Sequence, residues 1–212
     1  DRGYMGFGYQ VWRDYPNDWV AFEEILESLD RHVQKGSIRH IGVSNESPWG
    51  VMRFVAAAEA KGLPRMASIQ NAYNLLNRTF ETGGLAEVAL REDVGLLAYS
   101  PLGQGFLTGK YRGGALPQGS RKQLFNRLQR YEGPNADLAV ERYAALAEAH
   151  GVSLTALALK FCATRQFMTS VIIGATSMAQ LKEDMAAFDL PWTDALADGV
   201  DDIHKAIPNP CP

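Results

Sequence analysis

The sequence predicts an α/β fold of βα units around a parallel sheet. Short apolar runs alternate with stretches whose apolar residues recur at helical spacing. The runs end in polar or glycine residues, where parallel α/β folds place their ligands. One of them, residues 94–98, opens into Tyr99-Ser-Pro-Leu-Gly-Gln-Gly-Phe-Leu-Thr-Gly-Lys-Tyr111, a glycine-rich loop with hydroxyls and a lysine. Glycines allow close backbone approach to a ligand, and a lysine suits phosphate. The plain alternative is a structural loop with a turn at Pro101-Leu-Gly103.

In chain order, residues 1–18 read as a loop punctuated by Gly3, Gly6, Gly8 and Pro16. Asn17 or Asp18 is placed to cap a helix with Phe22, Ile25, Leu26, Leu29 and Val33 on one face, closed by Lys35-Gly36. Residues 38–43 form a strand ended by Ser44-Asn45. Ser47 caps the next helix with Pro48 at its first position, and Lys61-Gly62 ends it. A strand over 66–69 runs into Gln70-Asn-Ala-Tyr-Asn74. A helix over 84–91 leads to the strand 94–98, continuously apolar and so expected to be buried on both faces. Residues 112–134 show no clean period and form a long loop. Then come a helix over 136–150 closed by Gly151, a helix capped by Ser153, a strand over 169–173, a helix from Met178, and a helix capped by Thr193. Pro208, Pro210 and Pro212 mark a tail. Four strands fit an open sheet or part of an eight-stranded (β/α)8 barrel.

A chain of 212 residues can bury one substantial core. A net charge of −3 provides no basic footprint, so nucleic acid is not an expected partner. No apolar run reaches the ~18 residues a membrane span needs, and no signal peptide is visible. Two cysteines, Cys162 and Cys211, make no disulfide framework or metal motif and fit a reducing cytoplasm. The chain opens on Asp1-Arg2 within a glycine- and aromatic-rich stretch, which reads as a start partway through a domain.

The strand ends carry related chemistry: Ser44-Asn45, Gln70-Asn71, Tyr99-Ser100 and Gly174-Ala-Thr176. Three of these four supply side-chain amides or a ring hydroxyl, suited to a flat polar ring bearing a carboxamide. Each alone has an ordinary structural reading: a cap or Asx turn, a solvated glutamine, a core tyrosine. At the last end a helix leaves Gly174-Ala-Thr-Ser177, and Gln180, Glu183 and Asp184 follow at spacings that share one face. They suit the amino group of an adenine, or a solvated helix start.

Taken together, four stretches resemble the aldo-keto reductase family: residues 38–45, 69–78, 99–111 and 173–184. The branch looks like the bacterial Tas-like reductases and the potassium channel β-subunits. The resemblance implies an eight-stranded barrel holding NADP(H) in extended form. By the same resemblance, Ser44, Asn45 and Gln70 would hold the nicotinamide carboxamide and Tyr99 would stack on its ring. Ser100, Leu102 and Gly105 would line the pyrophosphate with Lys110 close by, and Arg121 would grip the 2′-phosphate. Gly174, Thr176, Gln180, Glu183 and Asp184 would hold the adenosine end.

The family's catalytic Asp, Tyr, Lys and His have no match here. His40 lies in an expected strand, and His32, His150 and His204 lie on or at the ends of expected helices. The resemblance therefore implies the carboxy-terminal portion of the barrel, roughly strands five to eight, with no assignable catalytic residue and no activity of its own. Its raw sheet edges argue against a stable monomer. The expected function is NADPH-dependent reduction of small aldehyde or ketone carbonyls. The alternative is a non-catalytic NADP-binding regulatory module. The loop 103–133, with cations at Lys110, Arg112, Arg121, Lys122, Arg127 and Arg130, is expected to repel itself when empty and to be mobile until cofactor binds. The alternative is a loop held by Phe125, Leu128 and Tyr131.

Overall fold

The computed structural model describes residues 19–125 and 129–212. The chain divides into two compact units: residues up to Asn71 with Phe80–Leu97, and Ala72–Thr79 with Ala98–Pro212.

In the first unit, α1 (Phe22–Gln34) buries Phe22 and Leu26. Its N-cap, Ala21, makes no side-chain capping bond, and the expected caps Asn17 and Asp18 lie outside the described residues. Helix α2 (Pro48–Lys61) forms as its sequence dictates. Ser47 Oγ accepts from the Gly50 N–H, Pro48 sits in the first turn, and Gly62 closes the helix at φ 63°. The two helices pack through Phe22, whose ring meets Trp49 and Phe54 edge-on at 5.6 and 4.7 Å.

Strand β1 (Ile41–Ser44) pairs parallel with β2 (Met66–Ala72), and Ser44 stands opposite Gln70. A side chain at Gly42 would strike the Ser68 backbone oxygen at 2.8 Å, so this close approach requires glycine. Both strands differ from expectation: β1 starts three residues later, leaving His40 before it, and β2 runs three residues further. Ser44, Gln70 and Asn71 therefore lie inside paired strands. Strand limits follow the partner's hydrogen bonds, which local propensity does not contain. Helix α4 (Leu85–Glu92) packs on α2, and the start of β3 (Gly95–Tyr99) follows. Within this unit the strands are ordered β1, β2, β3. Strand β3 alternates, with Leu96 and Ala98 buried and Leu97 and Tyr99 partly accessible, so it is not buried on both faces. The single turn α3 (Thr79–Thr82) is a further element, begun by Asn77, whose Oδ1 accepts from the Thr79 N–H and hydroxyl.

In the second unit, the end of β3 neighbours β4 (Met168–Val171). The loop after β3 contains the short helix α5 (Arg121–Phe125), which the sequence does not announce. Helices α6 (Pro134–Ala149), α7 (Leu154–Ala163) and α9 (Asp194–Ala206) supply buried apolar residues to the core, and α8 (Met178–Ala186) packs on α7. Ser153 and Thr193 cap α7 and α9 through their hydroxyls, as expected, and Ser177 does the same for α8. Tyr73 stacks on Phe161 at 5.5 Å and meets Phe167 edge-on. The proline-bearing tail is docked: Asn209 Oδ1 accepts from the Arg78 N–H at 2.7 Å, and the Cys211 N–H donates to the Leu76 carbonyl at 3.0 Å. Cys211 is fully buried there, and the Arg78 guanidinium reaches Asp201 at 2.8 Å. Among the described residues no helix is long and apolar enough to cross a membrane.

Candidate functional site

In the first unit, the turn after β1 is built by β2. The Ser44 hydroxyl donates to the Gln70 carbonyl at 3.0 Å. The Asn45 N–H donates to the same carbonyl and to Asn71 Oδ1, at 3.0 and 2.9 Å. These bonds hold Asn45 at φ 53°, a left-handed conformation that asparagine tolerates. Ser44 and Gln70 are exposed, so the amide of Gln70 is free to meet a ligand. Asn71 supports this turn from 26 residues away, a role that its place in the sequence does not reveal.

In the second unit, Tyr99 ends β3 partly accessible, and the chain turns at Ser100 with φ 54°. The Gly103 N–H donates to the Ser100 carbonyl, and the Gly105 and Leu107 N–H groups donate to the Leu102 carbonyl, all at 2.9–3.1 Å. The loop folds tightly on itself, with Gly105 at φ 103°. Lys110 is exposed, its Nζ 5.3 Å from the Tyr111 ring centre.

Two of the loop's cations are matched by carboxylates. Arg112 is forked onto Glu141 at 2.7–3.1 Å and reaches Glu148 at 3.2 Å; these carboxylates on α6 raise its pKa, and Arg112 lowers that of Glu141. Lys122 pairs with Glu132 at 3.3 Å. Arg121, at the start of α5, and Lys110 are exposed and make no ion pair among the described residues. Of the three residues expected to hold the loop down, Tyr131 is fully buried, Phe125 is exposed, and Leu128, like Arg127, lies outside the described residues. Tyr131 packs on Phe106, with ring centres 6.1 Å apart.

At the start of α8, Gln180 Oε1 accepts from the Thr176 N–H at 2.8 Å and its hydroxyl at 3.0 Å, closing the turn over Gly174-Ala-Thr176. Glu183 accepts from the Ser153 hydroxyl at 3.0 Å. Asp184 departs from the expected shared face. It is buried, and desolvation, helped by Glu183, raises its pKa. Glu183 borders a mostly apolar open pocket of about 390 Å³ with Val152, Ser153, Ala156, Ala186, Ala187, Asp189 and Leu190. The contribution of α7 to this pocket was not foreseen, because Ser153 and Glu183 are 30 residues apart and only tertiary packing joins them.

Burial pushes both the Tyr131 phenol and the Cys211 thiol up to about 12, from ordinary values of 10.0 and 9.0. The folded chain keeps protons that the unfolded chain releases. Stability present in full below pH 9 should therefore fall as pH rises toward about 12. Urea unfolding at roughly pH 8 and pH 11 checks this: equal midpoints would contradict it.

Successive βα units, polar groups at strand ends and a glycine-rich loop bearing exposed cations define an α/β protein. The aldo/keto reductase family model matches residues 9–205, and the chain belongs to that family. It is 43% identical over 193 residues to Protein tas of Escherichia coli (strain K12), covering 91% of this chain and 56% of that protein. It is 33% identical over 175 residues to L-glyceraldehyde 3-phosphate reductase of the same organism, covering 80% and 50%. It is 30% identical over 178 residues to a probable voltage-gated potassium channel subunit beta of Arabidopsis thaliana, covering 82% and 54%. The chain spans about half the length of these curated relatives. The match covers nearly all of the chain, and the α/β architecture agrees with the family fold.

Proposed function

We propose that this chain is the cofactor-holding part of an NADP(H)-dependent oxidoreductase that reduces small aldehyde or ketone carbonyls. Its strand-end motifs correspond to strands five to eight of the family barrel. The observation that carries the reading is the unequal treatment of the loop's cations: Arg112 and Lys122 are matched by glutamates, while Lys110 and Arg121 are exposed and pair with no carboxylate among the described residues. Two unmatched cations on one glycine-rich loop fit a ligand with separate phosphate groups. In the first unit the exposed Gln70 amide suits a carboxamide, and in the second the partly accessible Tyr99 ring suits a flat ring. The pocket beside Glu183 has apolar walls and a carboxylate rim, which fits a flat base with an amino group.

When bound, NADPH supplies the hydride. In this reading Ser44, Asn45 and Gln70 orient the carboxamide, and Tyr99 covers one ring face. Ser100, Leu102 and Gly105 present backbone to the pyrophosphate, with Lys110 beside it. Arg121 holds the 2′-phosphate, and Gly174, Thr176, Gln180 and Glu183 hold adenosine; buried Asp184 lies off their exposed face. Two cysteine thiols, Cys162 and Cys211, suit a cytoplasmic setting. The purified chain is expected to quench or shift NADPH fluorescence on titration yet to leave 4-nitrobenzaldehyde unreduced, because no residue matches the family's proton-donating set. Absence of NADPH binding would sink the cofactor assignment, and robust turnover would sink the assignment of the proton donor elsewhere.

A further inference from the structure

Asn74 is fully buried and directs its amide at three groups from separate parts of the second unit. Nδ2 donates to the Ser100 carbonyl at 2.9 Å and to the Tyr131 hydroxyl at 3.0 Å. Oδ1 accepts from the Leu76 N–H at 2.9 Å. The two bonds made by Nδ2 meet both sides of the glycine-rich loop. Ser100 begins the loop in a left-handed conformation, and Tyr131 lies on its return, its ring against Gly103. A methyl group at Gly103 would come within 3.4 Å of that ring, so loop and tyrosine are in close contact. Left-handed backbone is unfavourable for serine and persists where its surroundings hold it. The Ser100 carbonyl, bonded by Asn74 and by the Gly103 N–H, is the point at which it is held.

We propose that Asn74 is the positioning residue of the glycine-rich loop: its buried amide locks Ser100 and Tyr131 together and so presets the loop for the cofactor. The cofactor clause rests on the NADP(H) reading above; the hold on the loop does not. Leucine would remove all three bonds and leave the Leu76 N–H and the Tyr131 hydroxyl without this partner, and aspartate would keep the acceptor while losing both N–H donors.

Asn74→Asp in the full chain isolates the donors. Hydrogen exchange without cofactor is expected to quicken about tenfold across residues 100–109 while α6 and α7 keep wild-type protection. NADPH affinity, read by fluorescence, is expected to fall about tenfold. Loop exchange at the wild-type rate overturns the proposal, and so does faster exchange with unchanged affinity for NADPH. If the wild-type chain binds no NADPH, the cofactor reading fails, and the exchange result alone still decides whether Asn74 holds the loop. If the aspartate variant loses protection in α6 and α7, Tyr131→Phe replaces it. Loss of one hydroxyl should quicken exchange roughly threefold, confined to residues 100–109, and no change there overturns the proposal.

Discussion

Arg121→Ala should weaken NADPH binding by roughly ten- to a hundredfold while leaving NADH nearly unaffected. The side chain is exposed, and no carboxylate among the described residues competes for it. Its proposed partner is the 2′-phosphate, which NADH lacks. A charge-assisted hydrogen bond of this kind is worth about 1.5–3 kcal/mol, which sets the size of the effect. Arg112→Ala is the matched control, since Arg112 already holds Glu141 and Glu148. Parallel fluorescence titrations with both nucleotides decide the matter. Equal losses for NADPH and NADH would remove Arg121 from the 2′-phosphate, and an equal loss in the Arg112 variant would reduce the effect to general charge.

Tyr73→Ala should cost the second unit roughly 3–5 kcal/mol, the range for deleting a buried aromatic ring. Tyr73 is fully buried, stacked on Phe161 and edge-on to Phe167, and its carbonyl accepts from the Cys162 thiol at 3.6 Å. The hole left beneath these rings cannot be refilled by α7, whose own Leu157, Ala158 and Leu159 are fully buried in the core. Urea unfolding followed by circular dichroism should show an early transition or loss of the folded baseline. A midpoint within about 1 kcal/mol of wild type would mean that the aromatic cluster does not organise this core.

Local chemistry was legible in the sequence. Ser47 with Pro48, Ser153 and Thr193 each start the helix they announce, because a hydroxyl bonds a backbone N–H three residues on and needs nothing from the rest of the molecule. Gly62 ends its helix for the same local reason. The order of strands and helices, and the family motifs they carry, followed from hydrophobic periodicity and turn residues. What reaches across the chain was not legible. The ends of β1 and β2 are set by each other, which moved Ser44 and Gln70 into paired strands. Formal charge placed six cations on one loop, but only packing showed that α6 supplies Glu141 and Glu148 to neutralise Arg112. Asn74 and Tyr131 are 57 residues apart, and nothing in the sequence pairs them. A side chain's hydrogen-bonding capacity is written in its identity, but which buried partners it meets is decided when desolvation makes every unpaired group costly.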